Sequence, residues 1–142
     1  MLHTTFRKLH EARACASSYH TLAKALGGVH KWGRDTPIPL DKVLEVCGLS
    51  DALWCLRAVV EPADREIRLF ACDCAERVLP AFEAQYPDDK RPRHTIEVSR
   101  RFAEGKATQE ELDSATRGAW VARDNAGVTA WIAGIVAGVA TR

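Results

Sequence analysis

Cys72 and Cys74 are the first residues in the chain whose spacing suggests chemistry, since two thiolates close together can begin a metal site. The apolar spacing around them is helical, however, and two positions along a helix turn side chains about 200° apart, so the two sulfurs cannot clasp one ion. No second pair of cysteines or histidines stands at ligand spacing, and neither a metal nor any other cofactor is expected. Cys47 and Cys55 flank Gly48 with no histidine between them. The cysteines number five, and the opening MLHTTFRKLHEARAC lacks the apolar run of an export signal, so a cytoplasmic protein with reduced, buried thiols is expected. His3, His10, His20, His30 and His94 are scattered, and His10 and His20 fall on faces about 80° apart of one expected helix. There is no glycine-rich phosphate loop and no nucleophile elbow. The acid pairs Asp88-Asp89 and Glu110-Glu111 stand where a helix start favours negative charge. The reading is therefore of a binding protein, not an enzyme.

Charge offers the better candidates for binding. Asp88-Asp89-Lys90-Arg91-Pro92-Arg93 is a short corner with two acids followed by three bases around a proline. With His94, Arg100 and Arg101 it makes a local excess of positive charge, a surface suited to a protein partner. The rival account is internal: the two acids cap the next helix, and Arg91 or Arg93 ties the corner back to Glu76 or Glu83. Trp32, in a stretch rich in glycine and proline, either anchors its own loop on the core or meets a partner. The candidate protein-binding residues are thus Asp88, Asp89, Lys90, Arg91, Arg93, Arg100, Arg101 and Trp32. The basic face 90–101 also leaves a nucleic-acid binder as an alternative, with affinity that falls steeply with salt. The net charge of +1 gives no overall pull toward nucleic acid or an anionic membrane.

These residues need elements to position them, and apolar periodicity supplies helices throughout. A first helix is expected over about 4–26, ended by Gly27-Gly28, followed by a loop over 27–39. A short helix pair at 40–60 is broken by Gly48; it resembles a DNA-binding helix-turn-helix only in outline, because Leu53, Trp54, Leu56 and Val59 leave only Arg57 to meet base edges. Burial of both short helices is expected instead. A central helix over 64–86 places Ile67, Phe70, Ala71, Cys74, Val78, Phe82 and Tyr86 on its apolar face, with a kink near Pro80. After the corner at 87–92 comes a helix at 92–104, with Pro92 in its first turn. Thr108 and Glu111 form a capping box for a last helix over 108–139. Ala115, Ala119, Ala122, Ala126, Ala130, Ala133 and Ala137 stripe that helix, which suits close packing within the bundle or a homodimer seam. Its uncharged run is too short and too rich in small residues for a membrane span. With 142 residues, 46% hydrophobic and 27% charged, the expectation is an all-α, single-domain bundle of five to seven helices.

The runs CDCAERVLP, YPDD and RPR, followed by the alanine-rich helix, resemble the all-helical, Imm-five-like immunity-protein family of bacterial polymorphic-toxin systems. The resemblance is strongest from Leu69 to Glu104. It implies a helical fold and a partner, a toxin or effector neutralised by direct binding. A phage or mobile-element protein that disables a defence complex, such as an anti-CRISPR inhibitor, would need the same kind of small, cofactor-free binder.

Overall fold

The structure, a computed structural model, describes the backbone of residues 1–126 and the side chains of residues 1–118. The fold is all-α. Among the described residues there are eight α-helices, one 3₁₀ turn and one two-stranded antiparallel pair. None of these helices is long and apolar enough to cross a membrane. The chain divides into two compact units, Met1–Ala63 and Asp64–Arg142.

The first unit begins with β1 (His3–Thr4), paired with β2 (Ile38–Pro39) in the register His3 to Pro39 and Thr4 to Ile38. Around this pair the N-terminal segment is clamped by its backbone: Leu40 N–H donates to the Leu2 carbonyl at 3.0 Å and Val60 N–H to the His3 carbonyl at 2.9 Å. The Thr4 hydroxyl, fully buried, donates to the Ala58 carbonyl at 2.7 Å. His3 N–H meets the Glu61 carboxylate at 2.8 Å, and that bond, with the one to the His3 ring, holds the Glu61 pKa down at about 2.

The expected first helix is two helices, a correction to the reading at 4–26. α1 (Phe6–Glu11) starts at Thr5, whose hydroxyl accepts from Lys8 N–H at 3.1 Å, and α2 is Ala16–Ala25. Between them the Arg13 N–H bonds the His10 carbonyl and the Ala14 N–H bonds the Leu9 carbonyl, which together form a Schellman stop. That stop needs a left-handed residue, and Arg13 adopts φ 59 where glycine is usual. α2 ends in the same way at Gly27, φ 80. The Arg13 break hides from sequence because no glycine marks it. It also places His10 and His20 on separate helices.

The expected loop at 27–39 holds a short α3 (Val29–Trp32) as well as β2. α4 (Leu40–Cys47) and α5 (Leu49–Cys55) meet at Gly48, and a 3₁₀ turn at Leu56–Ala58 follows. Phe6, Leu9, Leu22, Leu26, Ile38, Val43, Cys55 and Ala58 form one buried cluster, with Tyr19 edge-on to Phe6 at 5.3 Å. Contrary to the expected burial of the short pair, Leu44 and Leu49 are exposed, because only Val43 on α4 and Cys55 on α5 reach full burial.

The second unit is built on α6 (Asp64–Gln85), which runs through Pro80, followed by α7 (Arg91–Ala103) and α8 (Gln109–Ala126). α7 packs against both α6 and α8. The buried face of α6 is Ile67, Arg68, Ala71, Cys72, Ala75, Leu79 and Phe82, rotated from the expected one: Phe70 and Val78 are exposed. The rotation brings small residues under α7, where Cys72, Ala75 and Leu79 cluster with Ile96. The same turn lays the Arg68 guanidinium over the Phe102 ring, 4.7 Å from its centroid. On the other side of α7, Val98 clusters with Leu112 and Ala115 of α8. Most of the alanine stripe, and with it the homodimer seam, lies outside the described residues.

Candidate partner-binding groove

The corner between α6 and α7 is held by local chemistry. Pro87 stops α6, and Asp89 then accepts from the Arg91 N–H at 3.1 Å, from its Nε at 2.8 Å and from its Nη2 at 2.6 Å. The guanidinium hydrogen bond keeps the Asp89 carboxyl below the usual carboxylate range. Arg93 reaches back to α6 and grips Glu83 with two bonds, at 2.7 and 2.6 Å. Arg100 bridges Asp73 at 2.7 Å and Glu76 at 2.6 Å, also on α6. α8 enters through the expected capping box: Thr108 N–H donates to Glu111 at 2.7 Å, and Glu111 N–H to the Thr108 hydroxyl at 3.2 Å. α7 and α8 are drawn together where the buried Thr95 hydroxyl lies 2.8 Å from the Ala115 carbonyl and 2.9 Å from the Arg91 carbonyl.

These elements enclose an open groove of about 950 Å³. The corner and α7 supply Asp88, Asp89, Lys90, Arg91, His94 and Arg101, and α8 supplies Glu111, Ser114 and Gly118. Val98 and Ala115 give it an apolar floor. Arg101 lies 3.5 Å from Glu111 and donates to the Lys106 carbonyl at 3.1 Å. Asp88, Lys90 and His94 are exposed, and none of their side chains has a hydrogen-bond or ion-pair partner among the described residues. They are polar side chains of the groove still open to a partner.

Of the eight candidate residues, the groove gathers Asp88, Asp89, Lys90, Arg91 and Arg101. Arg93 and Arg100 are turned away onto α6 carboxylates. Trp32 packs on the core cluster of the first unit, its Nε1 buried without an acceptor among the described residues. Only Asp89 of the acid pair ties into the start of α7, and the tie back to α6 runs from Arg93 to Glu83. Sequence reasoning missed the α8 wall, because the capping box marks where that helix starts and not which face it turns to α7.

The cysteines divide by place. Cys55 and Cys72 are buried, and desolvation pushes their thiols up to about 12 and about 11. Cys47 and Cys74 are half-buried and Cys15 is exposed, which corrects the expectation that all five are buried. Among the described residues no group of three His, Cys, Asp or Glu side chains is placed to hold a metal ion.

The groove and the helices that frame it fall inside a region that a family model matches. A model of the Imm-5 like putative immunity protein family matches residues 58–140, more than half of the chain. The chain belongs to this family. The match takes in α6, α7, α8 and the corner that carries the groove charges, and it starts near the end of the first unit. An immunity-type role follows in general terms. Searches of curated proteins and of solved structures each returned no match.

Proposed function

We propose that the protein is an inhibitor that neutralises a toxin or effector by direct binding, and that the groove between the corner, α7 and α8 receives part of that partner. The observation that carries the reading is the division of charge within the family-matched region. Arg91, Arg93 and Arg100 are committed to Asp89, Glu83, Asp73 and Glu76, whereas Asp88, Lys90 and His94 stand exposed around an apolar floor. Paired arginines give the corner a fixed shape, and unpaired charges on a fixed frame supply orientation and on-rate to a partner. The floor of Val98 and Ala115 suits a small apolar side chain set beside a charged one. The same pairing weakens the nucleic-acid alternative, since most of the cations on 90–101 already face carboxylates.

The test is retention of one defined partner by tagged protein in high salt, compared between wild type and a Lys90→Glu, His94→Glu double variant of unchanged melting temperature. The variant is expected to lose the partner. Equal retention by both proteins would remove the groove from the binding surface, and recovery of nucleic acid in place of a protein would overturn the inhibitor reading.

A further inference from the structure

The first unit holds a second, smaller cavity of about 60 Å³, bordered by three of the five cysteines: Cys15, Cys47 and Cys55. It is large enough for a few water-sized groups. Leu9, Leu22 and Val43 make its wall apolar, and Asp51 and Tyr19 are the other titratable groups on it. Most of this unit precedes the family match, so nothing there is inherited from the immunity-protein reading.

The three thiols differ in setting. Cys15 is exposed and caps α2: its sulfur accepts from Ser18 N–H at 3.5 Å and lies 3.0 Å from the Ser18 hydroxyl and 3.3 Å from that of Ser17. Hydroxyls rotate, so both turn to donate once the sulfur carries charge. These contacts, the Ser17 bond foremost, lower the Cys15 pKa against the opposing effects of desolvation and the charge of Asp51. Cys47 is the last residue of α4, half-buried, and its thiol donates to the Ser18 carbonyl at 3.7 Å. Burial raises its pKa. One residue, Ser18, therefore touches both sulfurs, through its amide on one side and its carbonyl on the other. Both cysteines also sit at helix ends, Cys15 two residues beyond the left-handed Arg13 and Cys47 directly before Gly48 at φ 87. Cys55 is buried within the core cluster.

We propose that Cys15 is a reactive thiol and Cys47 its resolving partner, so that a hydroperoxide oxidises the pair to a disulfide across Ser18. In the first step the Cys15 thiolate attacks the peroxide: an S–O bond forms, the O–O bond breaks and an alcohol, or water from hydrogen peroxide, leaves with a proton. The sulfur is oxidised by two electrons to sulfenic acid and the peroxide is reduced by two. In the second step Cys47 gives up its proton and attacks the Cys15 sulfur, the S–S bond forms, and the S–O bond breaks to release water. An accessible, stabilised thiolate is the species that reacts first, and the half-buried thiol with a high pKa waits until the sulfenic acid is beside it.

The test uses the reduced full chain exposed to hydrogen peroxide, alkylated, digested and mapped by mass spectrometry. The expected result is a Cys15–Cys47 linked peptide, with the intact mass lower by two hydrogens. Cys47→Ser is expected to stop at a Cys15 sulfenic acid trapped by a dione reagent, and Cys15→Ser to leave Cys47 a thiol at the same dose. Serine is itself a good helix cap, so Cys15→Ser keeps the start of α2. In the untreated protein Cys15 is expected to alkylate faster than the other four cysteines at neutral pH. A disulfide through Cys55 or Cys74, oxidation of Cys15 to sulfinic acid with Cys47 present, or no oxidation at Cys15 would each overturn the proposal.

Discussion

The two units hold themselves together by different means. Met1–Ala63 gathers eight buried residues into one cluster around Phe6 and clamps its N-terminal strand with backbone bonds. In Asp64–Arg142 the described residues form long helices with two small clusters, one on each side of α7, and paired arginines join α6 to α7. Exposed ion pairs contribute little stability each, so the arginines of the second unit act chiefly on geometry. They set the angle of the corner and leave only a few charges over for a partner. In the first unit the buried cluster and the backbone clamp do most of the holding, and the serines and thiols around Ser18 are among the polar groups at its rim. Thus the second unit presents the groove, and the first presents the thiol pair.

Truncating the two cores tests this contrast most severely. Phe6→Ala, at a site with no exposure, is expected to cost about 3–5 kcal/mol, and Leu79→Ala, in a cluster of four described residues, about 2–3 kcal/mol, read as shifts of the urea midpoint. Equal losses would break the comparison. Next comes the same helix stop made with opposite residues. Arg13→Gly should raise stability by about 1 kcal/mol, and Gly105→Ala, which ends α7 at φ 72, should lower it by a similar amount. A destabilised Arg13→Gly protein would mean that the arginine side chain supports the break.

Acid should act on the first unit through Glu61. Its folded pKa of about 2 lies below the unfolded value of about 4.3, so its contribution is complete above the unfolded pKa and fades as pH falls toward 2. Glu61→Gln is expected to flatten the fall of stability between pH 4 and pH 2, with hydrogen exchange in β1 as the readout; an unchanged acid profile would assign that fall to other carboxylates. The smallest effect belongs to the corner. Arg93→Ala should lower the melting temperature slightly in low salt and hardly at all in high salt, because screening already weakens its pair with Glu83. A large loss at both salt concentrations would show that the pair carries stability as well as shape.

Much of the second unit was legible in advance, for a local reason. Pro87 and Pro92 bracket the corner, Thr108 and Glu111 announce α8, and the spacing around Ile67 marks α6, since each signal acts within about one helical turn. The first unit was less legible because its main break depends on Arg13, a residue with no such preference, and on the backbone clamp from Leu2 to Leu40 across distant sequence. The groove was half legible: its charges were picked out, its α8 wall was not.

The sequence by itself determined that the chain is helical, where α6 and α7 start and stop, where α8 starts, and which charges crowd the corner. Tertiary structure decided which way α6 turns, so that Phe70 and Val78 face outward and Arg68 inward. It decided which arginines close on Glu83, Asp73 and Glu76, which charges remain exposed, and that Cys15 and Cys47 meet at Ser18. Capping and periodicity are settled by neighbours within a turn of helix, whereas burial and ion pairing depend on which helix arrives from elsewhere in the chain and on the face it presents.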